Sequence, residues 1–317
     1  MADAAPGDLL MSRIFVAGLV NIETTLAVDG FPLPYFPARY PFFGIQTTVS
    51  GVGFNVASAL TALGNQVDFM SLVGGDDNAF LVRKALKDNA IEDGLVLNTG
   101  NATAQSGVLY DPDGRREIHT DLKDLQDTVY PIRHAVPAMR ACDLAVICNI
   151  NFARPMLAEA RAAGKLIATD VHALSDLEDE YNRDFLAAAD ILFLSDEALV
   201  DTPEDTAREL QRRYGNRVIV IGLGSKGALL AYQQDDFIGQ FSAVQVRPVV
   251  NTIGAGDALF AAFIDCYLKT GDPYRSLRAA ILFAAYKIGE KGASQGFLSE
   301  QALKTLIAEW DQEAGAG

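Results

Sequence analysis

Apolar positions along this chain fall into short, nearly unbroken runs separated by segments of helical spacing. Arg13–Leu19, Val67–Val73, Leu144–Ile150, Leu166–Asp170, Ile191–Leu194 and Val218–Ile221 are of strand length and hold few polar residues, the mark of strands buried on both faces. Between them, Asn55–Leu63, Ala79–Asn89, Arg154–Ala163, Asn182–Ala188 and Pro203–Tyr214 repeat their apolar residues at helical intervals. This alternation predicts an α/β fold, a mostly parallel sheet with helices on both faces, whose ligands bind outside the carboxyl ends of the strands. Val244–Val250 reads as a further strand leading into an apolar helix that ends near Lys269-Thr270-Gly271. Glu300–Trp310 reads as a last amphipathic helix.

Two segments break the rhythm. Phe31–Ile45 carries Pro32, Pro34, Pro37 and Pro41 among aromatics, and Gln46–Ser50 then reads extended. Ala104–Tyr110 and Arg116–Leu122 form two strands across Asp111-Pro112-Asp113-Gly114, a strong turn signal. These are expected to build a small β-strand lid outside the main sheet, as insertions at about 31–50 and 104–124 in a single domain spanning 12–310. Residues 1–11 and 311–317 are expected to be flexible tails, with Met11 as an alternative start. No internal repeat is present.

Composition narrows the function. The 317 residues carry a formal net charge of −15 and no Lys/Arg-rich run, which argues against nucleic acid or an anionic membrane as a partner. The acidic, small-residue Met1–Leu10 lacks a signal peptide's basic start and apolar core, and no apolar run is long enough to span a membrane. Cys142, Cys148 and Cys266 offer no disulfide framework. With residues 142–148 in one strand, the first two thiols stand about 20 Å apart at about 3.3 Å per residue, too far to bridge or share a metal. A reducing, cytoplasmic setting follows.

The densest chemistry lies in Asn251-Thr252-Ile253-Gly254-Ala255-Gly256-Asp257, followed by Ala258-Leu259-Phe260. Glycines at the start of a helix turn the backbone tightly and leave unpaired N–H groups that attract phosphate. Asp257 sits among those donors, where a carboxylate can take a proton from a hydroxyl. An anion cradle beside a fixed base suits phosphoryl transfer to an alcohol; a plain tight turn with a first-turn acid is the bland alternative.

Weaker candidates accompany it. Gly51 and Gly53 open the helix carrying Asn55, where they would admit a ligand to the backbone, but taken alone Asn55 reads more readily as an N-cap. Asn21 and Glu23, two residues apart after the first strand, face the same way in an extended segment. Asn149, Asn151, Asp170 and His172 stand at or just past strand ends. His119 and Asp121 could face a substrate from the lid, although a solvated edge is the default. None of His119, His134 and His172 has a metal-ligand partner at helical spacing. Gly222-Leu223-Gly224-Ser225-Lys226-Gly227 matches G-x-G-x-x-G, but Ala228–Tyr232 after it reads as a strand, so the dinucleotide fingerprint fails. A P-loop fails too, with Ala228 and Leu229 where Lys and Ser/Thr belong.

With these pieces in order, nearly the whole chain resembles the ribokinase-like (PfkB) family of sugar and nucleoside kinases. The late motif at Asn251–Asp257 is similar to the family's Asp-Thr-x-Gly-Ala-Gly-Asp, and Ser50–Asn55 to its Gly-Gly-x-Gly-x-Asn, with Ser50 for the first glycine. Leu72-Val73-Gly74-Gly75-Asp76-Asp77 is similar to its Val-Gly-x-Asp turn. The resemblance implies MgATP as donor, a hydroxymethyl group of a sugar or nucleoside as acceptor, and a homodimer through the lid. It implies Asp257 as base, with the amides of Gly254, Ala255, Gly256 and Asp257 holding the phosphoryl charge. Asn21, Glu23, Gly51, Gly53 and Asn55 would hold the acceptor. Gly222, Gly224, Ser225 and Gly227, with Asn251, would line the nucleotide side, and the segment near Ala284–Gly292 would close the adenine pocket.

The chain departs from the pattern in four places. Ser195-Asp196-Glu197-Ala198 stands where the family has Asn-x-x-Glu, leaving the Mg²⁺ ligands unassigned; Asp196 or Glu197 could act through water. Asn251 replaces an aspartate that helps bind a monovalent cation in some members, which argues against potassium activation. Glu23 is one methylene longer than the usual Asp, and Val52 replaces a lysine of ribokinases proper. Two alternatives stay open: a nucleoside kinase with a base slot from Phe31, Tyr35, Phe36 and Phe42, and a silent sugar- or nucleotide-binding regulator.

Overall fold

A computed structural model describes residues 11–99 and 101–315; the tail expected over Met1–Leu10 lies outside them. Nine strands form the large sheet: β1 (Arg13–Ala17), β4 (Gln66–Val73), β5 (Val96–Asn98), β8 (Leu144–Ile147), β9 (Leu166–Ala173), β10 (Ile191–Ser195), β11 (Val218–Gly222), β12 (Ala228–Tyr232) and β13 (Phe237–Phe241). Their order is β13-β12-β11-β10-β9-β8-β1-β4-β5, parallel except for β12 and β13 at one end. The helices are α1 (Val52–Ala62), α2 (Asp77–Asp88), α3 (Val136–Ala141), α4 (Pro155–Ala162), α5 (Arg183–Ala188), α6 (Pro203–Tyr214), α7 (Ala255–Thr270), α8 (Pro273–Lys287) and α9 (Glu300–Gly315).

The two-residue period of a strand sorts the core into two layers. Ile14 and Val16 of β1 join one apolar cluster with residues of α1, α2, α7 and α8, while Phe15 and Ala17 join a second with residues of α3, α4, α5 and α6. Phe193 of β10 packs against Phe260 and Phe263 of α7 at 4.8 and 5.3 Å between ring centroids. Both faces are therefore covered, which is why these strands read as unbroken apolar runs. No helix among the described residues is long and apolar enough to cross a membrane.

A second, four-stranded sheet has the order β3-β2-β6-β7, from β2 (Asn21–Ala27), β3 (Ile45–Ser50), β6 (Gln105–Tyr110) and β7 (Arg116–Asp121). It takes in β2 as well as the two expected insertions, because the chain turns at Gly18–Val20 and Asn21–Ala27 pairs with β6 and β3. One face of this sheet carries Asn21, Glu23 and Thr25, the paired Ser50 and Thr48, and Ser106 and Thr120. Val108 on the same face packs against Ile253 and Ala293, so that face looks onto the glycine-rich turn before α7.

Three expectations need correction. Residues 244–250 form no strand: Pro248 has no N–H for a ladder, and the Val250 N–H donates instead to the Ile288 carbonyl at 2.8 Å. The last helix runs on to Gly315, so residues 311–315 are not a tail. Helices α3 and α8 and strands β5 and β13 went unread, while the strand–turn–strand over Gly222–Tyr232 is present.

Candidate active site

The site begins with a backbone device. Gly254 caps α7 in the left-handed region at φ 76°, and a Cβ on it would stand 2.6 Å from the Ala293 carbonyl oxygen. No other residue fits there without displacing the backbone. A Cβ on Gly256, by contrast, would meet nothing within 4 Å. The Ala255 N–H already donates to the Thr252 carbonyl at 3.1 Å, so the first turn of the sixteen-residue α7 opens onto free space at Gly256, where an anion can approach the helix start.

Asp257, in that first turn, is buried, and its Oδ2 accepts a hydrogen bond of 2.7 Å from Asn55 Nδ2. Burial pushes its carboxyl above the usual carboxylate range; the Asn55 bond and the charges of His172 and Lys287 pull the other way, and Asp170 adds to the rise. A partly desolvated carboxylate with raised basicity suits a general base. Asn55 is not the N-cap of α1, because the helix begins at Val52 behind Gly51 and the Asn55 side chain is committed to Asp257.

Gly51 and Gly53 are explained by the chain itself. A Cβ on Gly51, whose φ is 103°, would stand 2.6 Å from the Leu19 carbonyl oxygen, and one on Gly53 would stand 2.5 Å from the Gly18 carbonyl carbon. The space of their absent side chains is filled by the turn between β1 and β2, so they seat α1 against that turn.

Glu23 and Asn21 line the wall opposite. Ser50 Oγ donates to Glu23 Oε2 at 3.2 Å, and Asn21 Nδ2 donates to Ser106 Oγ at 2.5 Å. Glu23 Oε1 and Asn21 Oδ1 are buried and have no partner among the described residues. Two orphan acceptors on a hydroxyl-rich wall are what hydroxyl donors of a ligand would satisfy. Burial raises the Glu23 carboxyl, with Asp257 adding to the rise while Ser50 and Lys287 oppose it.

Sequence reading missed two cations here. Lys287, at the end of α8, is wholly buried, and its ammonium donates to the Ile253 carbonyl. Its signal was present: Leu277, Ala280 and Phe283 set a buried stripe at helical spacing on which Lys287 falls next. Arg116, from the edge strand β7, reaches across to Glu197 Oε1 at 3.2 Å and to the Thr252 carbonyl at 3.4 Å. His119 lies on the other face of β7, exposed and 2.8 Å from Glu117, so the solvated-edge reading holds for it.

Asp170 and His172 close the β9 end of the site: the His172 N–H donates to Asp170 Oδ1 at 2.8 Å, and His172 takes a left-handed φ of 59°. Asn149 and Asn151 are tied elsewhere, to Asn182 and to the Gln126 carbonyl. Asn251 works as a clamp within the chain, its Oδ1 accepting from the Ile253 N–H at 2.8 Å and its Nδ2 donating to the Lys291 carbonyl at 3.1 Å. Both of its polar groups are thus taken up by the polypeptide. Gly222, Gly224, Ser225 and Gly227 form the β11–β12 turn, in which Gly227 is forced by the Phe241 carbonyl 2.0 Å from where its Cβ would be. No group of three acidic, His or Cys side chains suited to a metal occurs among the described residues.

The aromatics offered for a base slot under the nucleoside alternative lie in the β2–β3 loop. Register pairs Asn21 with Ser50 at the site and Leu26 with Ile45 at the far end, about 17 Å away at about 3.4 Å per residue. Residues 31–43 belong to the loop beyond that far end, where Tyr35, Phe36 and Phe42 are exposed.

Known proteins are similar to this chain in sequence and in fold. An ATP-dependent ribose-1-phosphate kinase of Halopiger xanaduensis is 29% identical over 307 residues, covering 95% of this chain and 100% of the relative. The structure of a microbiome-derived acarbose kinase superposes with a TM-score of 0.84 at 26% identity, over 94% of this chain and 99% of that one. An Arabidopsis thaliana ribokinase solved with ribose and ATP superposes at 0.77 with 20% identity, over 94% and 99%, a likeness of fold. The pfkB carbohydrate kinase family matches residues 11–300, and the chain belongs to that family, whose members transfer a phosphoryl group to a hydroxyl.

Proposed function

We propose that this chain transfers the γ-phosphoryl group of ATP to a primary hydroxyl of a neutral, polyhydroxylated sugar. The observation that carries the reading is Asp257, a buried carboxylate in the first turn of α7, facing a wall with two unpartnered acceptors. The acceptor's hydroxyls would donate to Asn21 Oδ1 and Glu23 Oε1. Its primary hydroxyl would lie against Asp257, which takes the proton as the oxygen bonds to the γ-phosphorus and the bond to the β-phosphate oxygen breaks, releasing ADP. The amides of Gly254 to Asp257 would hold the charge spread over the transferring group.

The open face at Gly256 fits the phosphates of ATP, and the β11–β12 turn with its exposed Ser225 would lie along the nucleotide. Mg²⁺ would arrive bound to ATP, held chiefly by phosphate oxygens, since Mg²⁺ commonly takes one or two carboxylates and keeps several waters. Asp196 and Glu197 are the acidic side chains next to the end of β10. Three free thiols suit a cytoplasmic setting. The four-stranded sheet would act as lid and dimer contact, for which the exposed Tyr35, Phe36, Tyr40, Phe42 and Phe43 supply apolar surface.

A sugar is favoured over a nucleoside because the exposed aromatics lie at the far end of β2 and β3 from Asn21 and Ser50. The test is MgATP-dependent ADP release across pentoses, hexoses, ribose 1-phosphate, acarbose and nucleosides, with Asp257→Asn alongside. Turnover of a sugar that the variant loses supports the reading. Turnover confined to nucleosides refutes the acceptor class, and binding without turnover of any acceptor favours a regulator.

A further inference from the structure

Among the described residues Lys287 is a lysine buried completely, and it lies on the apolar stripe of α8. An ammonium taken out of water costs several kcal/mol unless other charges compensate it, and an apolar residue of the same length would pack there more cheaply. Its compensation is specific. The ammonium donates to the carbonyl of Ile253, the residue before Gly254, and the carboxylates acting on it are Asp257 of α7, Glu23 of β2 and Glu290 after α8, with Arg116 of β7 opposing. It makes no direct ion pair with any of them among the described residues. The charge therefore acts through space on two buried carboxylates: Asp257 raises the proton affinity of Glu23, while Asp170 raises that of Asp257 and His172 joins Lys287 in lowering it.

We infer that Lys287 is a positioning residue of this site: pinned to the Ile253 carbonyl, its buried ammonium fixes the turn that caps α7 and sets a positive charge beside the carboxylates Asp257 and Glu23. Without it, both carboxyls would hold a proton more tightly, because Lys287 lowers the proton affinity of each. The lysine also links the two halves of the chemistry, because the backbone it holds is the backbone that presents the anion-binding amides. Burial pulls its own pKa down to about 8, so the counter-charge itself fades in mildly alkaline solution.

The inference rests on Asp257 acting as base, and its test includes a readout that does not need turnover. The Asp257 carboxyl is followed by carbon NMR against pH in the full-length protein, its signal assigned by loss in Asp257→Asn, in wild type, Lys287→Met and Lys287→Arg. In Lys287→Met the titration midpoint is expected to rise by about one unit or more, the effect of removing an opposite charge nearby, and in Lys287→Arg to stay near wild type. An unmoved midpoint in Lys287→Met overturns the inference whether or not the protein proves to be a kinase. Should Lys287→Met fail to fold, the wild-type Asp257 and Glu23 carboxyl signals serve instead. A second inflection near pH 8 at both, as the neighbouring lysine titrates, supports the assignment, and its absence refutes it. In kinetics the same variant is expected to lower kcat more than it raises KM, with part of the loss restored by ammonium ions entering the vacated space; a kcat equal to wild type counts against the inference.

Discussion

Asn55 and Asp257 stand 202 residues apart in the sequence and 2.7 Å apart across the site, the amide nitrogen donating to the carboxylate. The bond joins the first turns of α1 and α7 and stabilises the ionised form of Asp257 against its burial. Removing it with Asn55→Leu leaves the backbone start of α1 at Gly51 in place but raises the Asp257 pKa further. We expect kcat/KM to fall by about 10- to 100-fold, the range of an impaired general base, with the acid limb of the pH–rate profile moving upward. Asn55→Asp should be worse, since it sets a second carboxylate against the first. A profile superposable on wild type would refute the role of the bond.

Asp257→Asn separates activity from stability. Turnover should drop by at least about 10²-fold. The sign of the stability effect follows from linkage. A carboxyl whose pKa is raised in the folded state binds protons more tightly there, so its favourable contribution belongs to acidic solution and is lost as pH rises through the folded pKa. Above the folded pKa the ionised Asp257 is thus a cost to the fold, and the neutral isostere removes it. The variant's melting temperature near pH 7 should be higher than wild type, and the gain should vanish in acid. A lower melting temperature at pH 7 would contradict the burial argument.

The architecture was legible because a parallel sheet covered on both faces must be written as apolar strands between amphipathic helices; Pro203–Tyr214 and Ala228–Tyr232 could be read to the residue. Residues 244–250 were misread because their valines carry the right propensity, while Pro248 and the partner carbonyl of Ile288 decide the conformation. Of the site, the late motif was legible since its glycines answer to local backbone geometry at Gly254. Asn55 was legible only through the family resemblance, because its partner lies 202 residues on and the packing of α1 against α7 is what makes it more than a helix-start residue. For Gly51 and Gly53 the packing reason was hidden in the same way, since their close neighbours are the Leu19 and Gly18 backbone. Lys287 was in view as a lysine on an apolar stripe, and nothing local says which charges balance it.

Alkaline pH should affect activity and stability in opposite directions. Lys287 has a folded pKa of about 8 against an ordinary 10.5. Below the folded value both states carry the proton; between the two values the unfolded chain binds more protons, so this group's contribution to stability rises with pH. Its counter-charge is lost over the same interval. We expect kcat to decline from pH 8 upward without a matching loss of melting temperature attributable to this residue, measured on one preparation. A kcat level up to pH 10 would contradict the assignment.

Arg116 joins the edge strand of the small sheet to Glu197 and to the Thr252 carbonyl. Half-exposed pairs of this kind contribute about 0–1 kcal/mol to stability, so Arg116→Ala should hardly change the melting temperature. Its effect should fall on closure of the sheet over the site, as a KM for acceptor raised by about 5- to 10-fold, on the order of 1 kcal/mol of binding. An unchanged KM would leave the contact with no part in holding the acceptor.

Two glycines three residues or fewer from Asp257 make opposite forecasts that together test the anion cradle. Gly254 sits at φ 76° with the Ala293 carbonyl 2.6 Å from its absent Cβ, so Gly254→Ala strains the backbone and should cost about 1–3 kcal/mol of stability. Gly256 lies within the first turn of α7 with open space before it, so alanine there should be tolerated or stabilise by about 0.5–1 kcal/mol through helix propensity. Yet that open space is where the transferring phosphoryl group would lie, and a methyl group in it should lower kcat while leaving the melting temperature intact. Loss of activity in both variants with loss of stability in the first alone is the expected pattern from thermal melts and ADP-release assays run in parallel. Full activity in Gly256→Ala would mean that phosphate does not approach α7 along this face, and the amides of Gly254 to Asp257 would then have to be dropped from the mechanism.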